Sequence, residues 1–203
     1  MIFFTADQHF CHTNIIKYCH RPFNNIEHMN KTLIERWNSK VKNAIDVVYV
    51  VGDFIYTHSK IERKNIISKL NGQIILIRGD HDGPWYTGLA QISDNTSLMM
   101  LNHSPTPITL CHWCMRVWPK SHYNSWHLYG HSHGKLPSEG KSHDVGVDNN
   151  NFYPLSLIEI TKIMKYKPDN FNLVKSEDKD KKWYEQMELE LTYGTGDEQK
   201  VMG

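Results

Sequence analysis

The sequence lacks any apolar run that approaches the roughly 20 residues of a membrane-spanning helix. Its first apolar stretch meets an acid at Asp7, too early for the apolar region of a secretory signal. Neither charge is in excess, because 23 Lys and Arg face 22 Asp and Glu, so composition indicates no nucleic-acid or membrane partner. We therefore expect a cytoplasmic protein with no membrane partner.

Cysteine is also scarce, with four residues in a chain of 203. In a cytoplasmic protein these thiols are expected to stay reduced. Histidine, by contrast, occurs 13 times. This abundance directs attention to metal binding and acid–base chemistry.

The length suits one sizeable domain with its own core, which we place at residues 1–165, followed by a charged appendage at residues 166–203. In the appendage, Trp183, Met187 and Leu191 fit a helix, whereas "MELELTY" alternates like a strand, and both interpretations remain open. The end of this appendage is expected to be disordered.

Short apolar runs of strand length recur along the first domain. Between the first three runs lie two helical patterns, residues 26–41 and 59–70, in which apolar residues recur at helical spacing. This β-α-β-α-β order predicts a parallel sheet with right-handed crossovers. From Leu98 onward strands dominate, so we expect a second, more antiparallel half; "PLSLIEITKIMKY" predicts a strand leading into a helix or turn. The predicted strands are "IFFTA", "VVYVV", "IILI", "SLMML", "PITLC" and "WHLY".

Five of these strands end in residue types that bind metal ions. One aspartate after a strand is usually a turn former or a helix cap, but five such endings are hard to attribute to turns. Ligands bind at the carboxyl ends of strands in α/β sheets, so these endings are expected to converge. They are Asp7-Gln8-His9, Gly52-Asp53, Gly79-Asp80-His81-Asp82, His112 and Gly130-His131-Ser132-His133.

The number of carboxylates and histidines exceeds what one catalytic metal needs. Mixed histidine and carboxylate ligands favour Mn, Fe, Zn or Ni over Ca or Mg. The count predicts two divalent ions about 3.5–4 Å apart, bridged by a shared carboxylate and a hydroxide. Such a centre is typical of in-line displacement at phosphorus, with Mn²⁺ as the expected ion.

These ordered motifs resemble the calcineurin-like metallophosphoesterases, and "FTADQHFCHTNIIKYCHRPF" is similar to their small single-domain members from bacteria and phages. The resemblance runs from residue 1 to about 160 and implies a four-layer α/β/β/α sandwich of two mixed sheets, with a dinuclear metal site at the strand ends. It implies that one metal is held by Asp7, His9 and His133, and the other by Asp80, His112 and His131, with Asp53 as the bridge.

The resemblance also implies the catalytic residues. His81 would contact the phosphoryl group or protonate the leaving oxygen as a general acid, and Asp82 would orient His81 or tie down the loop. "GDFIYT" lacks the Asp-Arg-Gly continuation of the protein serine/threonine phosphatases, which disfavours that branch. The expected reaction is hydrolysis of a phosphodiester by the bridging hydroxide, on a small nucleotide-type substrate or a nucleic acid.

Asp80 departs from the family pattern, which has Asn at this position. With an ionised Asp80 the net charge of two divalent metals, their carboxylates and a hydroxide falls from about +1 to about zero. Metal binding is then expected to tighten while phosphate affinity and Lewis acidity fall. A carboxylate also cannot donate to a phosphoryl oxygen as an amide does. Asp80 therefore predicts lower activity than Asn would give.

Further residues are candidates for substrate contacts, and two alternative functions stay open. His12, Asn14, Arg21 and Arg78 lie beside the motifs and are candidates for binding the substrate, although a surface loop explains the first three equally well.

An aromatic and basic segment at residues 113–126 favours a nuclease that acts on DNA or RNA ends, or else forms a packed flap. Asp80 alone hints at a catalytically weakened binding scaffold. Cys111 and Cys114 have the spacing of a zinc half-site or redox pair, but reduced thiols are the simpler reading.

Overall fold

The structure is a computed structural model that describes residues 1–83, 92–94, 97–102 and 106–174, with residues 92–94 described by their backbone alone. The predictions for Trp183, Met187 and Leu191 lie outside the described residues. Nine strands and four helices are present in this part of the chain. The strands are β1 (Ile2–Thr5), β2 (Val47–Val51), β3 (Gln73–Ile77), β4 (Ile92–Asp94), β5 (Leu98–Leu101), β6 (Ile108–Cys111), β7 (Trp126–Tyr129), β8 (Ser142–Asp144) and β9 (Leu155–Ser156), and the helices are α1 (Ile15–Tyr18), α2 (Ile26–Lys40), α3 (Lys60–Ile67) and α4 (Leu157–Tyr166).

The strands form two mixed sheets. The first has the order β4-β3-β2-β1-β9, in which β1 to β4 are parallel and β9 pairs antiparallel with β1. The second has the order β5-β6-β7-β8, in which β6, β7 and β8 are parallel and β5 is antiparallel to β6. The predicted β-α-β-α-β order is therefore present in the first sheet. The expected second, more antiparallel half is confirmed, because both antiparallel pairings of the described strands involve strands after Leu98, β5 with β6 and β9 with β1, although β6, β7 and β8 run parallel.

Each longer helix begins at a side-chain cap. Asn25 accepts a hydrogen bond from the His28 N–H at the start of α2, and Ser59 accepts one from the Glu62 N–H at the start of α3. A capping box between Ser156 and Glu159 starts α4, where the predicted strand-to-helix transition lies. Because each cap satisfies backbone N–H groups that have no partner inside the helix, the helix boundaries are set by local sequence.

Successive apolar side chains along the strands point alternately into two separate apolar cores. Phe3 and Val50 face α2 and α3 in the first core, whereas their neighbours Phe4 and Val51 face the second sheet. Strand side chains point to opposite faces with period two, so a fully apolar strand serves both cores. The outer face of the second sheet is covered differently: His127 packs against Trp118, which lies in a segment with a short 3-10 turn at Ser121–Tyr123. The described residues thus form a sandwich with a helical layer over the first sheet and this segment over the second.

Asn170, beyond the predicted domain boundary, is hydrogen-bonded to the segment that covers the second sheet. Asn170 is buried and donates hydrogen bonds to the carbonyls of Ser121 and Ser125. Its side-chain oxygen accepts from the Lys141 N–H.

Within the described part of the chain, no helix is long and apolar enough to cross a membrane.

Two histidines, the buried His127 and the half-buried His143, are expected to make the protein sensitive to acid. Burial lowers the pKa of His127 and of His143 to about 4. Below pH 6.5 these histidines are protonated in the unfolded chain but stay neutral in the folded protein. The stabilisation is therefore fully present above pH 6.5 and is lost as the pH falls toward 4. Over this window each histidine lowers the free energy of unfolding by up to about 1.4 kcal/mol per pH unit. Chemical denaturation of wild type and His127→Gln across this window should give a shallower decline for the variant; parallel curves would contradict it.

Candidate metal centre

The predicted ligands meet where the strands of both sheets end, and glycines permit the close approach. A Cβ atom on Gly79 would lie 2.6 Å from the Asp53 Oδ1 and 2.9 Å from the His112 ring. One on Gly130 would lie 2.7 Å from the Asp7 Oδ2. Any side chain at either glycine would therefore displace a predicted ligand, which explains the glycines in two of the motifs.

The backbone at the predicted ligands adopts a conformation that non-glycine residues rarely accept. Asp7, His9, Asp53, His131 and His133 have φ values of 59°, 50°, 54°, 64° and 47°. Residues held in this left-handed region cost of order 1–3 kcal/mol each, and such residues cluster at functional sites. Hydrogen bonds between loops hold this geometry, since the Asp7 N–H donates to the Gly52 carbonyl and the His9 N–H donates to the Asp53 carbonyl.

One group of side chains that could hold a metal ion comprises Asp7, His9 and His133, whose ligand atoms all lie within 4.8 Å of one another. Asp7 is fully buried, and both of its carboxylate oxygens accept from the His131 N–H. Burial raises the pKa of Asp7 to about 7, and burial lowers the pKa of His9 to about 3. A neutral imidazole is the form that binds a metal, so His9 is ready to act as a ligand.

A second group comprises Asp53, His112 and His131, again with ligand atoms within 4.8 Å. The His112 Nδ1 donates to the Val51 carbonyl at 2.8 Å, which turns its Nε2 toward Asp53. Burial alone would lower the pKa of His112, but the neighbouring Asp53 outweighs it and raises that pKa to about 9. Burial would likewise raise the pKa of Asp53, but His112 outweighs it, so the pKa lies below its usual range.

Asp53 joins the two groups through one oxygen atom. Its Oδ2 lies 3.5 Å from the His9 Nε2 and 3.4 Å from the His112 Nε2. Both ring nitrogens are buried and make no hydrogen bond among the described residues. Two ligand atoms that bind one ion at about 2.1 Å with a tetrahedral angle lie about 3.4 Å apart. The donor set and its spacing therefore fit an ion on each side of Asp53.

Asp80 lies at the exposed side of the second group. Its Oδ2 is 3.0 Å from the His131 Nδ1 and 4.0 Å from the His112 Nε2. The Trp113 indole N–H also donates to this oxygen at 3.2 Å. The side chains of Asp80 and His131 are 42% and 54% exposed, so this edge of the centre is open to solvent.

The two predicted catalytic residues have different surroundings. His81 is exposed beside the first group, with its ring centroid 5.5 Å from that of His9, and its backbone N–H donates to the Asp53 Oδ1. Asp82 is buried and accepts from the N–H groups of Asp53, Phe54 and Gly79. Of the two roles predicted for Asp82, these contacts support tying down the loop.

Three of the four predicted substrate contacts lie in different surroundings. His12 lies at the centre, with its Nδ1 3.4 Å from the His9 Nδ1. Asn14 is exposed at the start of α1, where its carbonyl accepts from the Lys17 and Tyr18 N–H groups. Arg78 is half-buried at the end of β3.

The prediction that Arg21 binds the substrate was wrong. Its side chain is fully buried, and its guanidinium donates to both Asp148 oxygens and to the carbonyls of Asp7 and Gln8. A further contact to the Met29 sulfur occupies the remaining N–H. Since a guanidinium has five N–H donors, none is left for a substrate.

Asp148 and Asp144 hold the predicted histidine ligands from behind. The Asp148 Oδ2 accepts from the His133 Nδ1 at 2.8 Å and thereby directs the other ring nitrogen inward. Asp144 accepts from the Ser132 hydroxyl and the Gly134 N–H, which fixes the turn that carries His131 and His133. No sequence pattern indicates the pairing of Arg21 with Asp148, because the two residues lie 127 positions apart.

Replacing Asp148 by Asn is expected to weaken metal binding by about 10- to 100-fold, since partners of metal ligands contribute that much. It should also lower the free energy of unfolding by about 3–5 kcal/mol, because the buried Arg21 loses its ion pair. Metal titration and urea denaturation measure the two effects. Glu35→Gln, on an exposed helix pair with Lys31, is the matched control. An effect on stability without one on metal affinity would contradict the account.

Cys111 and Cys114 belong to none of the side-chain groups that could hold a metal ion in the described part of the chain. Cys111 and Cys114 are free thiols, and burial raises the pKa of both. Cys19 lies near His133 and Asp148, but there His133 already donates to Asp148.

In the aromatic and basic segment, Trp118 is buried and donates to the Ser125 carbonyl, which favours the packed flap.

Comparison with known proteins places the chain among relatives. No family model matches it. It is 36% identical over 173 residues to the uncharacterized protein MJ1445 of Methanocaldococcus jannaschii, covering 81% of this chain and 91% of that protein. The chain belongs to the same family as this archaeal protein.

The fold recurs in a solved structure. The crystal structure of AQ665 from Aquifex aeolicus, described as a protein of unknown function, matches with a TM-score of 0.62 and 25% identity over 80% of this chain and 98% of that chain. Yfce, a phosphoesterase from E. coli, matches with a TM-score of 0.45 and 14% identity over 71% of this chain and 77% of its own. The second likeness is too weak to support a conclusion about this chain.

Proposed function

We propose that the protein is a metal-dependent phosphoesterase of the calcineurin-like type, and that it hydrolyses phosphodiesters. The observation that carries this proposal is the position of Asp53, whose Oδ2 faces a buried, unbonded imidazole nitrogen of each ligand group. A single oxygen with a ligand atom on either side is the arrangement expected of a bridging carboxylate.

Two divalent ions, with Mn²⁺ the expected metal and Fe, Zn or Ni as alternatives, would supply Lewis acidity and an activated nucleophile. Asp7, His9 and His133 would hold one ion, and His112, His131 and Asp80 the other. The chain holds these side chains rigidly, because the Val51 carbonyl fixes His112 and the Asp148 carboxylate fixes His133.

His81 is the residue that would deliver a proton to the leaving oxygen. Its backbone is anchored to the Asp53 Oδ1, while its exposed side chain lies at the mouth of the centre. Asp82 fixes the loop relative to Asp53, since it accepts from the backbone at both Asp53 and Gly79. The proton donor and the bridging carboxylate are thus held in one unit.

The charge of the centre favours diesters over monoesters. Two divalent ions would bring about +4, and the carboxylates of Asp7, Asp53 and Asp80 about −3, so that a hydroxide would leave about zero net charge. A doubly charged monoester then gains little over a singly charged diester. The exposed edge at His131 and Asp80 also leaves room for a second ester group.

The proposal is tested by assaying the Mn²⁺-loaded protein with bis-p-nitrophenyl phosphate and p-nitrophenyl phosphate. We expect hydrolysis of both, with a higher kcat/KM for the diester. Preference for the monoester would contradict the diester assignment. No hydrolysis of either compound, by the wild type or by Asp80→Asn, would contradict the enzyme assignment and favour a binding scaffold.

Asp80→Asn is expected to raise kcat for the diester about tenfold, because the change restores about one positive charge and an amide donor. Metal affinity should fall in the same variant. Steady-state kinetics at saturating Mn²⁺ and a metal titration measure the two effects, and Asp169→Asn, at an exposed position, controls for the lost charge. Equal or lower activity in Asp80→Asn would refute the charge argument.

A further inference from the structure

Beside the proposed proton donor lies a small apolar cavity that no ligand role yet explains. It has a volume of about 190 Å³ and is lined by Ile55, Tyr56, Thr57, His58 and His81. Whole-ligand pockets usually span about 300–1,000 Å³, so this one suits a single ring system of a larger ligand. His81 lines this cavity and also lies beside His9 of the candidate metal centre. A ligand that occupies the cavity therefore lies next to the centre.

Tyr56 gives the cavity an aromatic surface. Its side chain is 46% exposed, although its ring stacks on His12 with centroids 4.2 Å apart and planes 26° apart. The His81 ring meets it edge-on at 5.3 Å. With His12 stacked on one face and His81 edge-on to the ring, nearly half of the surface of Tyr56 still faces solvent and is accessible to a ligand.

Hydrogen bonds and ring contacts hold Tyr56 and His12 in place. The Tyr56 N–H donates to the Phe10 carbonyl at 2.8 Å, and a β-bridge joins Phe10 to Ile55. His12 in turn contacts His9 of the first ligand group, with 3.4 Å between their Nδ1 atoms. A tyrosine that is held by backbone pairing and by a second ring loses little freedom when a base stacks on it.

We propose that Tyr56, supported by His12, is a nucleobase subsite, and that the substrate is a phosphoester whose alcohol is a nucleoside. This inference rests on the proposed function. None of the five described lining residues is acidic, and an apolar aromatic surface beside imidazoles suits a flat heteroaromatic base. The base would lie next to His81, which places the nucleoside oxygen where the proton is delivered.

Binding of adenosine 5′-monophosphate and ribose 5-phosphate to the Mn²⁺-loaded protein tests the subsite by calorimetry, with the ligands checked for integrity afterwards. The two differ only in the base. We expect the nucleotide to bind the wild type about 5- to 150-fold more tightly, as base stacking on an aromatic side chain provides. Tyr56→Leu should remove this preference without changing ribose 5-phosphate binding, and Tyr56→Phe should keep it.

Tyr166→Leu, at another exposed tyrosine, is the matched control and should keep the preference. A wild-type preference near one, or an unchanged preference in Tyr56→Leu, would overturn the inference. Hydrolysis of bis-p-nitrophenyl phosphate is scored separately. Hydrolysis without a base preference would refute the subsite alone, whereas a base preference without hydrolysis would refute the proposed function and leave the subsite.

Discussion

Replacing Asp53 by Asn is expected to lower kcat/KM for bis-p-nitrophenyl phosphate by about 1,000-fold or more, and to reduce the bound Mn²⁺ from two ions to at most one per chain. The loss should exceed the 10- to 100-fold typical of residues that only support a metal ligand. An amide offers one neutral acceptor oxygen and cannot bridge two cations as a carboxylate does. Kinetics and metal analysis after dialysis measure both effects.

The Asp53→Asn variant is expected to remain folded, because its amide oxygen can still accept the hydrogen bond from the His81 N–H. Glu35→Gln removes a charge of the same sign from an exposed helix position and serves as the control. Two ions bound to Asp53→Asn with wild-type affinity would show that this residue is not the bridge.

Replacing His81 by Asn is expected to slow the hydrolysis of diesters with poor leaving groups by about 100- to 10,000-fold, the usual contribution of a general acid. The effect should be much smaller for a p-nitrophenolate leaving group, because a stable anion departs without a proton. A series of aryl and alkyl diesters of rising leaving-group pKa gives the measurement. The dependence of kcat on that pKa should become steeper in the variant.

His28→Asn is the matched control for the His81 series, since His28 is exposed on α2. Its kinetics should follow those of the wild type across the series. If His81→Asn slowed all leaving groups by the same factor, His81 would be contributing to phosphoryl binding and not to protonation of the leaving oxygen.

The first sheet was predictable because its signals are local. Apolar runs marked β1, β2 and β3, and the intervening helical patterns forced parallel pairing. The second sheet has no such signal. A helical pattern between two strands would predict that they are parallel, but the connection between the parallel strands β6 and β7 contains only a short 3-10 turn among its described elements. Strand direction there depends on how the chain packs over the outer face, which the apolar pattern does not encode.

The candidate centre was predictable in its ligand types and not in its supporting contacts. Strand ends converge in any sheet of this kind, so Asp7 and Asp53 could be placed together from the sequence. Arg21 could not be assigned in the same way, because its role depends on Asp148, which only folding brings close. Tyr56 was missed for a similar reason, since an aromatic residue after a strand usually packs in a core.

The most direct test of the central claim is a crystal structure of the Mn²⁺-loaded protein with anomalous scattering data. The account predicts two manganese peaks about 3.5–4 Å apart, with the Asp53 carboxylate between them, His9 on one ion and His112 on the other. A single peak, or two peaks that do not share Asp53 as a ligand, would contradict it.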